Sequence, residues 1–269
     1  MSVPSAYDLH HHSHDSAQIL KRWHAVARQA RLTLETLYLT PDGFPVLLAR
    51  TRRQAPGGLY LSTGVHGDEP APVAALLEWA EENIACLREA NAWLLPLFNP
   101  DGLVRNTRVD RAGTDLNRMF HDATHPHLAP WHQAMRGAQF QLGIMLHEDY
   151  DAQGMYSYEV SRDRAITTQA YLDAAARFIP KDQRRKIDGF PSCNGVILRR
   201  RIPRHLPGLP EALVLYQQHT PSAFTFESPS EFSLQQRVAA HRAIIAHAFA
   251  AQSSHQSVLA KTKIAVGKS

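Results

Sequence analysis

The sequence predicts an α/β fold, with a mixed parallel and antiparallel central sheet and helices on both faces. Three observations carry that prediction. Short apolar runs alternate with segments of helical period along the chain. One pair of runs is joined by a tight-turn signal, which calls for an antiparallel pair in a sheet otherwise built by crossovers. Polar residues of catalytic type repeatedly follow the apolar runs, where loops at the carboxyl ends of strands gather ligands.

Taken in order, "LTLETLYL" (Leu32 to Leu39) and "FPVLLAR" (Phe44 to Arg50) flank "TPDG" and read as a hairpin. "GGLYLST" reads as a buried strand. "PAPVAALLEWAEENIACLREA" has helical period, with Pro70 near its start, where a missing N–H costs little. "NAWLLPLFNPDG" is a short apolar run closed by turn residues. "FQLGIML" (Phe140 to Leu146) leads into His147, while "NGVILRR" and "SAFTFES" (Ser222 to Ser228) read as further strands. "SEFSLQQRVAAHRAIIAHAFAAQ" reads as a closing helix with Ser230 as its N-cap. The chain divides into a polar, His-rich segment over residues 1–18, a single domain over 19–252 and a C-terminal tail over 253–269. No internal repeat interrupts it.

Composition narrows the function. At 269 residues and 44% hydrophobic, the chain suffices for one large domain or at most two small ones. No run approaches the roughly 18 apolar residues that cross a bilayer, and the polar start lacks a secretory pattern. The expectation is a cytoplasmic protein without a membrane partner. Two cysteines, Cys86 and Cys193, argue against a disulfide framework or a Cys-rich zinc module. The net charge of +4 is concentrated in "KDQRRK" (Lys181 to Lys186) and "LRRRIPRH" (Leu198 to His205). Such a strip can steer acidic substrates or bind nucleic acid. With no zinc finger, RNA-binding signature or phosphate loop, it reads as a solvated loop and strand edge, and no nucleic-acid partner is expected. Of the sixteen histidines, His10, His11, His12 and His14 fall in the polar start, read as flexible. His121, His125, His127 and His132 fall in a Pro-containing loop, read as surface.

"STGVHGDEPAP" (Ser62 to Pro72) is the first chemical signal. A catalytic zinc needs three N or O ligands and an open fourth position. His66 and Glu69, three residues apart in a turn entering a helix, can face one point, and Gly64 and Gly67 let the backbone bend. His147, at the end of a strand-like run, is the natural candidate for the third ligand.

Five motifs then follow one another: "GVHGDE", "NPDG", "RVDRAGTDLNR", "IMLHED" and "FTFES", spanning about three-fifths of the chain. In this the sequence resembles the zinc carboxypeptidase (carboxypeptidase A-like) family, whose fold is an α/β/α sandwich. The resemblance implies one Zn²⁺ per chain held by His66, Glu69 and His147, the His₂Glu set of carboxypeptidase A. It implies Glu227 as the base that activates water and later protonates the leaving amine. It implies Arg108 as the oxyanion-stabilising arginine, with Arg105 and Arg111 as nearby competitors. Asn117 and Arg118 match the pair that clamps a substrate carboxylate. Asp115 matches the carboxylate that orients a metal-bound histidine, here His66, with a helix or turn cap as its alternative. The family's substrate-contacting tyrosine has no clear counterpart, and Tyr216 and His205 both stay open.

The resemblance implies a zinc-dependent metallocarboxypeptidase or peptide amidase, cleaving an amide bond beside a free carboxylate. The nearest rival is an N-acyl amino acid deacylase of the succinylglutamate desuccinylase/aspartoacylase type. Those relatives usually show "HGNE" and lack "NPDG", whereas this chain has "HGDE" and "NPDG". A third reading is a binding protein that kept the fold and lost catalysis. Oligomeric state and a second metal stay open.

Overall fold

The computed structural model describes residues 12–55, 57–163, 165–199 and 208–266, with side chains to residue 252. Helix α1 (Ser16–Ala30) opens it, capped by Asp15, whose side chain accepts from the Gln18 N–H. Its Ile19, Trp23, Val26 and Ala30 recur at helical spacing and are buried. His14 Nδ1 lies 2.7 Å from the Leu103 carbonyl oxygen, and the Ser16 hydroxyl donates to that of Pro100 at 2.8 Å. The later part of the segment read as flexible is therefore docked. His10, His11 and the rest of that segment lie outside the described residues.

The predicted hairpin is present as β1 (Thr33–Leu39) and β2 (Pro45–Arg50), antiparallel and joined across the turn. Next come β3 (Gly58–Thr63), α2 (Pro70–Glu82), α3 (Ile84–Glu89) and β4 (Ala92–Leu95). The single helix expected from Pro70 onward breaks at Asn83, whose side chain donates to the Trp79 carbonyl. Asn competes for local backbone groups and so tends to end helices. Helices α4 (Pro100–Arg105) and α5 (Ala129–Met135) precede β5 (Phe140–Asp149), which runs past His147. Then follow β6 (Tyr156–Ser161), α6 (Gln169–Ala175), the short pair β7 (Lys186–Ile187) and β8 (Phe190–Pro191), and β9 (Val196–Leu198). Helix α7 (Glu211–Gln218), β10 (Ser222–Pro229) and α8 (Leu234–Val266) complete the fold.

Eight strands form one mixed sheet in the order β1-β2-β4-β3-β5-β10-β6-β9. Its centre, β4-β3-β5-β10, is parallel, and antiparallel pairs flank it on both sides. Alternation along β5 and β10 sorts the two faces. Ile144, Leu146, Phe224 and Phe226 pack with Val73, Leu76 and Leu77 of α2 and Val238, Ile244 and Phe249 of α8. Tyr60, Met145, Val160 and Ala223 face the other way, onto Phe98, Phe120, Trp131 of α5 and Leu215 of α7. Helices thus cover both faces, as expected.

Helix α8 departs from the sequence reading at both ends. Its cap is Ser233 rather than Ser230: the Ser233 hydroxyl accepts from the Gln236 N–H, and the Gln236 side chain accepts from the Ser233 N–H and hydroxyl. This reciprocal capping box satisfies two otherwise orphaned donors. At its other end the helix continues through residues read as a tail, because no Gly or Pro occurs before Gly267. No described helix is long and apolar enough to cross a membrane.

Candidate metal centre and active site

The centre forms where the three neighbouring parallel strands β3, β5 and β10 end. After β3, Gly64 takes a positive φ of 66°, a turn that glycine adopts without strain, and delivers His66 two residues later. Gly67 serves differently from the bend expected of it. A Cβ there would sit 1.9 Å from the carbonyl carbon of Gly102 and 2.3 Å from the Leu103 nitrogen. Glycine is required because α4 lies directly against it. Glu69 then precedes the first residue of α2, with Pro70 at the start as predicted, and makes no capping hydrogen bond of its own.

The three expected ligands converge. His66 Nδ1 lies 2.5 Å from Glu69 Oε1, and His147 Nδ1 lies 2.9 Å from Glu69 Oε2. One ligand atom from each residue falls within 4.8 Å of the others, and all three residues are buried. Two imidazole nitrogens and a carboxylate, with a cleft beside them, are a donor set that fits a catalytic zinc. Burial pushes the His66 imidazole down, but Glu69 and Asp115 outweigh it and bring the group to about 9. For His147, Glu69 likewise outweighs burial. Burial alone would raise the Glu69 carboxyl, yet the two imidazoles hold it well below the carboxylate range. The pocket is thus charged and compact, and a cation competes there with protons.

Asp115 fills the orienting position. Its Oδ1 accepts from His66 Nε2 at 3.2 Å and from the Asn117 N–H at 3.0 Å. It therefore does both jobs considered for it, capping the short 3₁₀ turn Leu116–Arg118 and holding the ring. A proton on Nε2 leaves the Nδ1 lone pair of neutral His66 for a metal. Arg108 Nε donates to Asp115 Oδ2 at 3.0 Å, and its Nη1 lies 3.8 Å from Glu69 Oε1. Arg105 and Arg111 instead pair with Asp42. Of the three arginines, Arg108 is the one at the centre.

Glu227 pairs in register with His147 on one side and with Tyr156 on the other. Burial raises its carboxyl to about 8, with His147 opposing and Glu69 adding to the rise. The triad, Glu227, Arg108, Asn117 and Arg118 line one cleft of about 480 Å³. The Asn117 Oδ1 accepts from the Glu211 N–H at 3.0 Å, which leaves its NH₂ as the available donor. Glu211 is itself fully buried, taking hydrogen bonds from the Tyr60 and Ser62 hydroxyls.

Of the two candidates for the missing tyrosine, His205 lies outside the described residues. Tyr216 sits on α7, its ring 4.5 Å beneath the Arg162 guanidinium, and does not line the cleft. Tyr156 and Tyr158 do, and the sequence reading missed them. The signal was available: "YSYEVS" alternates with period two, which marks a half-buried strand. Of the basic strip, Arg199 lines the cleft mouth with its guanidinium 3.9 Å over the Phe190 ring, and residues 200–205 lie outside the described residues.

Residues 57–151, about a third of the chain, match the family model of the succinylglutamate desuccinylase/aspartoacylase catalytic domain. The matched stretch carries all three metal-binding residues. The chain is a metallohydrolase. The hydrolase is similar in structure to a Shewanella baltica OS155 protein provisionally assigned as a metallopeptidase, with a TM-score of 0.78 and 21% identity. That match covers 89% of this chain and 93% of the other. It is also similar to the metallo-carboxypeptidase of Burkholderia cenocepacia, with a TM-score of 0.63, 16% identity and coverage of 87% and 68%. A third likeness is to a Pseudomonas aeruginosa metallo-carboxypeptidase in complex with (2-guanidinoethylmercapto)succinic acid, at 0.52, 20%, 85% and 69%. At these identities the likeness establishes the hydrolase's fold, the carboxypeptidase-like α/β architecture expected from the motifs. No curated protein matches the chain.

Proposed function

We propose that the protein is a zinc-dependent hydrolase of amide bonds that lie next to a free carboxylate, acting as a metallocarboxypeptidase or peptide amidase. One observation carries this reading: Glu227 stands beside His147 in a cleft that also presents Arg108, Asn117 and Arg118. His66, Glu69 and His147 would hold the metal, which when bound supplies Lewis-acid chemistry for polarising a carbonyl and acidifying water. Glu227 takes the proton from the attacking water and passes it to the leaving nitrogen. Burial raises this carboxyl above the ordinary carboxylate range, which strengthens it as an acceptor of the water proton. The Arg108 guanidinium, held by Asp115, faces the negative charge that develops on the carbonyl oxygen. The Asn117 NH₂ and the Arg118 fork grip the carboxylate. Beneath the Glu227 row, Met145, Thr225 and Tyr158 lie side by side, then Ala223 and Val160, with Leu213 over them. These rows carry no ionised group and suit an uncharged, largely apolar side chain, while Asp188, which accepts from the Tyr158 hydroxyl, and Arg199 line the cleft beyond them.

The matched family domain favours a second reading, an N-acyl amino acid deacylase using the same residues. Zinc per chain and hydrolysis of dipeptides, murein-type peptides and N-acyl amino acids, with Glu227→Gln as control, separate the two. The peptidase reading expects one zinc, cleavage of peptides with apolar ends and loss of activity in Glu227→Gln. Far better cleavage of N-acyl amino acids would transfer the assignment to the deacylase. No bound metal, together with an unaffected Glu227→Gln, would end both readings.

A further inference from the structure

On β5 and β10, the residues that follow the chemistry-bearing ones are also polar and buried. Glu148 follows His147, and Ser228 follows Glu227; the two are register partners on β5 and β10. Strand alternation turns both toward α2 and α8, into a layer built mainly of apolar side chains. A carboxylate placed there needs partners, and Glu148 has two. Its Oε1 accepts from the Ala71 N–H at 2.7 Å, and its Oε2 is paired with the Arg237 guanidinium of α8. Arg237 is anchored in turn by its Nε, which donates to the Phe232 carbonyl at 2.9 Å. One helical turn further along α8, His241 Nε2 lies 3.0 Å from the Ser228 hydroxyl oxygen.

The Ala71 N–H is one of the donors that the first turn of a helix cannot satisfy internally. The residue before the helix commonly satisfies such donors with its own side chain. Here that residue is Glu69, whose carboxylate instead faces His66 and His147. Glu148 reaches from the next strand and does the capping in its place. One side chain thus links the start of α2, which carries Glu69, to the strand that carries His147.

We propose that Glu148 and Arg237 are positioning residues for the metal centre: as a buried clamp behind the sheet, they take over the helix cap, free the Glu69 carboxylate to bind metal and fix its position relative to His147. Neither residue belongs to the triad; Glu148 touches the cleft wall beside His147, and Arg237 does not line the cleft. The inference rests on the metal-site reading, and two separate readouts keep the two ideas apart.

The first readout is zinc affinity by chelator competition on the folded full-length chain. Arg237→Met is expected to weaken zinc binding by about 10- to 100-fold, the range seen when groups that orient ligands are lost. Arg237→Lys, which keeps a cation for Glu148 but cannot also reach Phe232, is expected to recover most of that loss. Leu47→Ala, a buried change on β2 three strands from β5, controls for destabilisation: it should lower the melting temperature and leave zinc affinity unchanged. The second readout is hydrogen exchange of the Ala71 amide in metal-free protein. Exchange should quicken in Arg237→Met, although that substitution does not remove the acceptor. If Arg237→Met binds zinc as wild type does, or loses no more affinity than Leu47→Ala, the clamp is overturned. If wild type binds no zinc, the metal-site reading fails, and unchanged exchange at Ala71 would overturn the clamp as well.

Discussion

Asp115 serves three partners with two oxygens: the His66 ring, the Asn117 backbone and the Arg108 side chain. His66, Asn117 and Arg108, to which the proposed function gives metal binding, carboxylate binding and oxyanion stabilisation, therefore share one anchor. Asp115→Asn keeps the shape but loses the charge that favours His66 and Arg108. Zinc affinity is expected to fall about 10- to 100-fold, read by chelator competition. The two arginines should separate kinetically. Arg108→Ala removes an interaction made in the transition state, so kcat should drop about 10²- to 10³-fold with KM little changed. Arg118→Ala removes ground-state binding of the carboxylate. It should raise KM by about 10- to 100-fold, corresponding to a lost charged hydrogen bond of about 1.5–3 kcal/mol. Equal effects of the two on KM would refute this division of roles. All three residues were legible as a group in "RVDRAGTDLNR", but spacing alone left Arg105 and Arg111 as rivals to Arg108. What separated them was Asp42, a turn residue distant in sequence that occupies both rivals.

Between elements, the tightest constraint is the contact of the His66 turn with α4. The Gly67 N–H donates to the Thr107 carbonyl at 3.0 Å, and its Cα faces the backbone of Gly102 without room for a methyl group. The obstacle is backbone, which cannot rotate aside as a side chain can. Gly67→Ala is therefore expected to destabilise by about 3 kcal/mol or more, beyond the usual 1–3 kcal/mol of overpacking, and to abolish zinc binding. Urea unfolding and metal analysis would check it; a near-wild-type unfolding midpoint would contradict the contact. Two glycines in one motif thus carry different demands, a positive φ at Gly64 and a close approach at Gly67. A sequence displays both as the same letter. The cap of α8 shows a similar limit. Ser230 and Ser233 are both chemically able, and Gln236, three residues beyond Ser233, completes a capping box only with the latter.

At the scale of the whole molecule, burial decides which histidines matter. His127 was expected on the surface, yet only 5% of it is exposed, between Tyr38 and Phe98. Its Nε2 lies 2.7 Å from the Phe98 carbonyl oxygen. Burial lowers its imidazole to about 4, with that hydrogen bond opposing. In the unfolded chain the group titrates near 6.5. Between these values the unfolded chain binds a proton that the folded chain refuses, so stability present above about pH 6.5 is lost as pH falls toward 4. The difference amounts to about 3 kcal/mol at the acid end. His127→Gln keeps a donor for Phe98 without a titrating ring. Its unfolding free energy should fall less between pH 7 and 4.5 than that of wild type; equal losses would contradict the assignment.

The sequence by itself determined the alternation of strands and helices, the opening hairpin, the residues able to hold a metal and the order of the motifs. These follow from local periodicity and residue chemistry, which neighbouring positions record. Tertiary structure alone decided which polar residues meet. Residues 66, 147 and 227 converge because β3, β5 and β10 are adjacent, an order that no local pattern encodes. It also decided that Glu148, one residue from a ligand, turns to the opposite face and caps the helix of Glu69. The physical reason is the same in each case: desolvation and hydrogen-bond satisfaction depend on what surrounds a group in space, and those surroundings come from chain segments up to 164 residues away in sequence.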